Sequence, residues 1–434
     1  MLRRTRRRSL GTSCAVSALS ILLWSCGRSP DAAPGEPHRE PLPAESGPKK
    51  FAKALSKVAA TVPELKRSDW LNAHWKTPVA HQGDAPAEWT DLEKSLDPEK
   101  CAICHPSQAA DWRGSRHSKA MGPGIMGQLV DNDAKFNYIE GCQRCHAPLS
   151  EQYPVLANNV ANERFDPELR AHGLSCAACH VRKHEVRGPP SGRPIADNTP
   201  HGGFVPRDEY ESPTFCATCH DFKPHQKRLN GKLFQETSEE WRRTSFAAEG
   251  KTCQSCHMPD KRHLFRGIHD KDTVRDAVDV RVSVGAGSLV GDMITASLTL
   301  TNTGAGHRMP TYTPPQITLI LEQVDKDGNA LAQTQRVGAV ARRLSVDLNK
   351  ELYDNRLLPG ESYTLDYQLR RARGSTAVLA RVEVWPDEGY RRFYTAVLKN
   401  PARHTKGRPL LQEALKDSIE SRYELWRELA PLED

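Results

Sequence analysis

The chain has 434 residues, enough for more than one domain, and a formal net charge of +7 at pH 7. Five arginines and no acidic residue lie in the first 25 positions, and removing that stretch lowers the charge from +7 to +2. The basic character therefore belongs mostly to the N-terminus, and we predict no nucleic-acid partner.

The N-terminus has the features of an export signal. An apolar run from Cys14 to Trp24 follows the arginines and is too short to span a bilayer. The run ends Leu23-Trp24-Ser25-Cys26, which resembles the lipobox of bacterial lipoproteins except at Trp24. We predict a signal peptide of lipoprotein type over residues 1–26, with Cys26 as the lipid attachment site. An ordinary cleaved signal is the alternative.

This signal predicts export to the periplasm or outer surface of a bacterium, with membrane contact only through the lipid. Residues 27–50 are rich in Pro, Gly, Glu and Ala and are predicted to be a flexible linker. Residues 51–95 form an N-terminal lead-in, with a short amphipathic helix expected over Phe51 to Leu65.

One pentapeptide pattern, Cys-x-x-Cys-His, occurs five times. Cysteines three apart on a helical turn project to one side, so both thiols can add to the vinyl groups of one porphyrin. The next residue, His, can then bind the iron as its proximal ligand. The five copies are Cys101-Ala-Ile-Cys104-His105, Cys142-Gln-Arg-Cys145-His146, Cys176-Ala-Ala-Cys179-His180, Cys216-Ala-Thr-Cys219-His220 and Cys253-Gln-Ser-Cys256-His257.

Paired cysteines also occur in zinc sites, dithiol redox centres and disulfide frameworks. Four-cysteine zinc sites use pairs in twos, and five pairs would leave one unmatched. Neither those sites nor disulfides require a histidine after every second cysteine, whereas haem c attachment does. The pattern therefore predicts five covalently bound haem c groups.

Residues 96–275 contain all five motifs, whose first cysteines are 41, 34, 40 and 37 residues apart. Apolar residues are few here, so we expect the porphyrins to serve as the core of a pentahaem domain made of short helices and irregular loops.

The histidines outside the motifs decide the chemistry of the irons, because a second histidine closes the iron to substrate whereas an open position allows a reaction. For each of them, a buried hydrogen-bonded role is the alternative. The predicted distal ligands are His117, His184, His201, His263 and His269, with His172 and His307 in reserve. For His307 the competing interpretation is a structural role in its loop.

After Asp276 the apolar residues alternate, as expected for strands. We predict an antiparallel β-sandwich over residues 276–400 and a helical tail over residues 401–434, with the helix spanning Pro409 to Leu432. The fold class is therefore α+β. The predicted strands are Val278–Val284, Met293–Thr301, Gln316–Val324, Ser362–Leu369, Val378–Trp385 and Tyr390–Leu398.

Two stretches resemble a known family. Cys101 to Ala120 includes Trp112 and Ser-Arg-His117-Ser-Lys-Ala and looks like the multihaem cytochrome c-554 type, the cytochrome c-552/4 domain family. Similar cytochromes share Cys253 to Pro259 with the histidines after it, and the loop Gly304-Ala-Gly-His307-Arg-Met-Pro310. The resemblance covers roughly residues 95 to 315, but this chain has five motifs rather than four, and a sandwich as well.

The resemblance implies a periplasmic electron carrier with closely stacked, mostly bis-histidine haems. Electron transfer between redox partner proteins is therefore the leading hypothesis, with the sandwich as a docking or spacer module. The alternative is an oxidoreductase that acts on a small nitrogen or sulfur species at one haem with an open coordination site. A third possibility is a structural module that is held together by its haems.

Overall fold

The computed structural model describes residues 65–191, 200–223, 226–285 and 291–432. The predicted signal peptide, Cys26, the linker and nearly all of the predicted helix Phe51–Leu65 lie outside these ranges. Within them, no helix is long and apolar enough to cross a membrane.

The N-terminal half is built of short helices joined by irregular segments. Several helices begin at proline after a capping side chain, as at Asp97 and Ser212, whose oxygens accept the amide hydrogens of Glu99 and Thr214. The helices of this half are α1 Asp69–His74, α2 Pro98–Cys104, α3 Pro106–Gly114, α4 Pro123–Leu129, α5 Phe136–His146, α6 Pro167–Ala171, α7 Cys176–His180, α8 Pro213–His220, α9 Thr237–Arg242, α10 Ser245–Ala248, α11 Cys253–His257 and α12 Lys271–Ala277.

Five very short strands accompany these helices, in one small three-stranded sheet and one hairpin. The apolar clusters here are small and local, as expected for a segment that uses a cofactor as its core. The strands are β1 Val181–Arg182, β2 Glu185–Gly188, β3 Val205–Pro206, β4 Arg228–Leu229 and β5 Lys232–Leu233.

The C-terminal half contains two antiparallel sheets that enclose the largest apolar core. Five strands lie in the order β10-β9-β8-β12-β13 and three in the order β11-β7-β6. The α+β class and the sandwich are as predicted. The strands are β6 Val278–Gly285, β7 Met293–Asn302, β8 Gln316–Val324, β9 Arg336–Leu344, β10 Glu351–Asp354, β11 Ser362–Arg370, β12 Ala377–Trp385 and β13 Tyr423–Pro431.

The predicted strand Tyr390–Leu398 is wrong, because this segment belongs to helix α13, Glu388–Leu398. Its apolar residues serve helical packing: Phe393, Tyr394 and Val397 form a cluster with Leu411 and Ala414 of the next helix.

The tail is only partly the predicted helix. Helix α14 covers Arg408–Glu420, and the chain then forms strand β13, which pairs antiparallel with β12 from Tyr423↔Val384 to Pro431↔Ala377. The free edge of β12 gives the final residues backbone partners along one side, and this long-range pairing replaces the helix that their spacing indicated. The sandwich therefore extends beyond residue 400 to Pro431.

Candidate haem centres

All five Cys-x-x-Cys-His motifs lie at the C-terminal ends of helices. The second to fifth motifs end α5, α7, α8 and α11 with their histidine, and in the first the histidine caps α2. The helical turn places the two thiols of each motif on one side. The end of a helix therefore presents each cysteine pair together with its histidine.

The ten motif cysteines are free thiols rather than disulfides. Thiols of different motifs lie close enough to shift one another's pKa: Cys101 raises the pKa of the Cys176 thiol, and Cys145 raises the pKa of the Cys219 thiol. Cys253 likewise raises the pKa of the Cys216 thiol. The attachment points therefore adjoin one another, the first motif with the third, the second with the fourth, and the fourth with the fifth.

Three of the motif histidines have a fixed tautomer. Nδ1 lies 2.6 Å from the Ala120 carbonyl oxygen in His146, 2.7 Å from that of Arg187 in His180, and 2.6 Å from that of Arg266 in His257. Because a carbonyl oxygen only accepts, Nδ1 donates in each case and Nε2 keeps a free lone pair. This hydrogen bond orients an imidazole for binding iron through Nε2.

Three motif histidines face a second imidazole. The ring centres are 6.2 Å apart for His220 and His117, 6.0 Å for His180 and His263, and 6.4 Å for His257 and His307. Two imidazoles on opposite sides of one metal ion, with metal–nitrogen distances of about 2.0–2.1 Å, have ring centres roughly 6.3 Å apart. The three pairs have the spacing of axial ligands.

Burial keeps the imidazoles of His117 and His180 neutral. Burial lowers the pKa of His117 to about 3, with a further contribution from His220, and burial likewise lowers the pKa of His180 to about 4. A neutral imidazole is the form that binds iron. Paired thiols, a free Nε2 and neutral second imidazoles thus fit covalently attached haem, which supplies reversible one-electron chemistry when bound.

Four of the predicted distal ligands have other contacts. His184 hydrogen-bonds the Gly83 carbonyl oxygen through Nε2 at 3.2 Å, whereas His201 hydrogen-bonds that of Gly203 through Nδ1 at 3.1 Å. His269 Nε2 lies 2.9 Å from Asp387 Oδ2, and His172 Nε2 lies 3.5 Å from an oxygen of Asp97. In the described ranges, none of these four rings is paired with a motif imidazole at the spacing given above.

His74 stands out in the structure although its sequence context is ambiguous. The residue is 2% exposed, and both ring nitrogens lack a well-formed hydrogen bond, with the Cys179 backbone close by. Trp70 stacks on the ring at 4.6 Å, and burial lowers its pKa to about 2, helped by the charges of Arg182 and Arg187. In the sequence, only the neighbouring Trp70 and Trp75 indicate that aromatic rings enclose His74.

Comparison with known proteins agrees with the motifs. Residues 100–182 match the family described as cytochrome c554 and c-prime. A penta-heme cytochrome c552 from Thermochromatium tepidum has a similar fold, with a TM-score of 0.55 and 19% sequence identity over 79% of this chain and 100% of that one. No curated protein matches the sequence. The motifs and the family match support a multihaem c-type cytochrome that binds haem c and transfers electrons.

Proposed function

We propose that the protein is an exported pentahaem c-type cytochrome that carries electrons between redox partner proteins along a continuous row of haems. Each motif binds one haem through its two thiols, and the motif histidine is the proximal ligand. The site residues of this proposal are the ten cysteines and His105, His146, His180, His220 and His257.

The observation that carries the proposal is the proximity of thiols of different motifs. Cys101 lies near Cys176, Cys145 near Cys219 and Cys253 near Cys216, each close enough to raise the pKa of its neighbour, so haems attached there have neighbouring edges. The thiol of Cys179 also interacts electrostatically with those of Cys216 and Cys219, which links the third motif to the fourth. Electrons can therefore pass from the first haem through the third and fourth to the fifth, with the second as a branch.

Two of these haems are proposed to be bis-histidine, His180 with His263 and His220 with His117. Support comes from ring spacings of 6.0 and 6.2 Å and from the free Nε2 of His180. Two imidazole ligands give a low-spin iron of low potential that is closed to other ligands, as an electron carrier requires.

The ends of the row are accessible to partner proteins. Ile103, within the first motif, is 63% exposed, and Cys104, His105 and the fifth-motif Cys256 are also exposed. We propose these two motifs as the entry and exit points for electrons. Cytochromes of this type are typically exported, which supports a periplasmic or cell-surface location, with Cys26 as the proposed lipid anchor.

Intact mass and electron paramagnetic resonance of the purified protein test the proposal. We expect the mass of the mature chain plus five haems, and a diacyl modification at Cys26 if the anchor is correct. Fast reduction of every haem by a partner that docks at one end is also expected. A mass with fewer haems would contradict the pentahaem proposal, and reduction of isolated haems only would contradict the continuous row.

A second candidate function is supported by one observation. Among the described residues, neither His105 nor His146 faces another imidazole at the spacing of axial ligands. An open iron there would suit a reaction with a small nitrogen or sulfur species. A stoichiometric high-spin signal, together with turnover of hydroxylamine or nitrite, would favour this oxidoreductase. Low-spin signals alone would favour the electron carrier.

A further inference from the structure

The fifth motif and the β-sandwich meet at His257 and His307. The two rings are 6.4 Å apart between centres and almost parallel, with 8° between their planes. His307 belongs to the segment between β7 and β8, whereas His257 ends α11 of the helical half. An imidazole from one half of the protein therefore faces a motif imidazole of the other.

Both rings use the same nitrogen for a hydrogen bond to a backbone carbonyl oxygen. Nδ1 of His257 lies 2.6 Å from the Arg266 carbonyl oxygen, and Nδ1 of His307 lies 2.9 Å from that of Arg308. Each Nδ1 must donate to its carbonyl, so each Nε2 retains a lone pair for a metal. With ring centres 6.4 Å apart, the pair has the spacing of two imidazole ligands of one iron.

On the sandwich side, Asn302 holds the His307 loop. This residue is fully buried, and its Nδ2 donates to the carbonyl oxygens of His307 and Leu357, each at 3.0 Å. Its Oδ1 accepts from the Ala305 amide at 3.0 Å. Both hydrogens of the Asn302 amide and one of the two acceptor sites of its oxygen are thus used to fix the loop that carries His307.

On the helical side, the same loop is held against the segment before the fifth motif. Thr244 is fully buried, and its hydroxyl lies 3.2 Å from the Gly306 carbonyl oxygen. A Cβ atom at Gly306 would lie 3.1 Å from the Phe246 ring, a tight contact that glycine avoids. The loop is therefore hydrogen-bonded to both halves of the protein, and these contacts fix the position of His307 relative to α11.

We infer that the β-sandwich supplies the second axial ligand of the fifth haem, through Nε2 of His307. The inference rests on the proposed attachment of a haem at the fifth motif. It gives the sandwich a role in coordination that a docking or spacer module does not have. It also means that separating the two halves of the protein opens one iron to small ligands.

The test compares His307→Gly with wild type in the full-length haem-loaded protein. The reduced variant should bind one more equivalent of carbon monoxide than wild type, and the oxidised variant should gain one high-spin haem by electron paramagnetic resonance. Added imidazole should reverse both changes by refilling the position. His269→Gly is the matched control, because His269 is also half-buried but pairs with Asp387, and it should gain neither signal.

A second variant covers the case in which His307→Gly does not fold. His307→Met keeps a ligand in place but should raise the reduction potential of one haem, because thioether ligation favours the reduced iron. The inference is overturned if folded His307→Gly carries five haems and gains no carbon monoxide site. It is also overturned if folded His307→Met carries five haems and shows no change in reduction potential. An intact mass of wild type with fewer than five haems would instead contradict the proposed function.

Discussion

Arg356 of the sandwich and Glu240 of the helical half form a buried ion pair, with 2.9 Å between Nη1 and Oε1. Arg356 also pairs with Asp354 at 2.8 Å, and Lys232 reaches Asp354 from the β4–β5 hairpin. Nearby, Arg342 is 1% exposed and pairs with Glu351 while donating to the Leu233 carbonyl oxygen. Buried charges thus join the half that carries the motifs to the half that carries His307.

Glu240→Gln should destabilise this junction. The change leaves a buried guanidinium with only Asp354 as an ionic partner, and breaking a buried pair costs about 3–5 kcal/mol when no other partner remains. Because Asp354 remains, we expect a loss of about 2–3 kcal/mol of unfolding free energy in urea. Lys416→Gln is the control, since its i,i+4 pair with Glu420 is solvent-exposed, and it should change stability by less than about 0.5 kcal/mol. Equal midpoints for the two variants would show that the buried pair does not hold the halves together.

His74 should make stability depend on pH. Its folded pKa is lowered to about 2 by burial and by nearby arginines, whereas an unfolded histidine titrates near pH 6.5. The folded state is therefore stable with neutral His74 above about pH 6.5, and this contribution is lost as the pH falls below that value, by up to about 1.4 kcal/mol per pH unit.

His74→Phe removes this titration and should flatten the decline in unfolding free energy between about pH 6 and pH 4. Phenylalanine also suits the enclosure of Trp70, Trp75 and Phe215. His81→Gln, at a residue that is only partly buried, serves as the control and should keep the wild-type slope. The same slope in His74→Phe would mean that His74 is not the titrating group.

Gln152 should be important for the stability of the segment between the second and third motifs. The side chain is fully buried, and its Nε2 donates to the carbonyl oxygens of Leu169 at 2.9 Å and Gly173 at 2.7 Å. Its Oε1 accepts from the Leu149 amide at 3.1 Å. Gln152→Leu fills a similar volume but leaves three buried backbone groups unpaired, so we expect a loss of about 3 kcal/mol or more in thermal or urea unfolding.

Gln335→Leu is the comparison for that experiment. Gln335 makes one side-chain contact, to Glu322 at 2.9 Å, at the border of the sandwich, and its loss should cost about 1 kcal/mol. If Gln152→Leu were as mild as Gln335→Leu, buried water would have to satisfy the three backbone groups.

Gly407→Ala should disrupt the contact between α4 and α14. A methyl group at this position would overlap the Gly127 backbone, whose carbonyl oxygen lies 1.9 Å from the added carbon. The clash involves backbone on both sides, so we expect a loss of about 2–3 kcal/mol in melting experiments. Gly114→Ala is the matched control, because nothing lies within 4 Å of its added methyl and Gly114 ends a helix. That change should be neutral or slightly stabilising.

The sequence by itself determined the chemistry of the five motifs and most of the sandwich. The Cys-x-x-Cys-His pattern is a local arrangement on one helical turn, and alternation over Met293–Thr301 is a local property of a strand with one buried face, so neighbouring residues suffice to predict both. The periodicity failed at Tyr390–Leu398 and in the final strand Tyr423–Pro431, and it did not predict strands β9 and β10.

Only the tertiary structure decided which histidine faces which motif. His117 follows the first motif in the chain but faces His220 of the fourth, and His307 reaches His257 from the other half. Meanwhile Nε2 of His184 contacts the Gly83 carbonyl oxygen, and Nε2 of His269 contacts Asp387. The physical reason is that axial pairing is a contact between distant segments, set by how helices and sheets pack, and no spacing along the chain encodes it. The same reason made β13 a strand, since its partners are the backbone groups at the edge of β12.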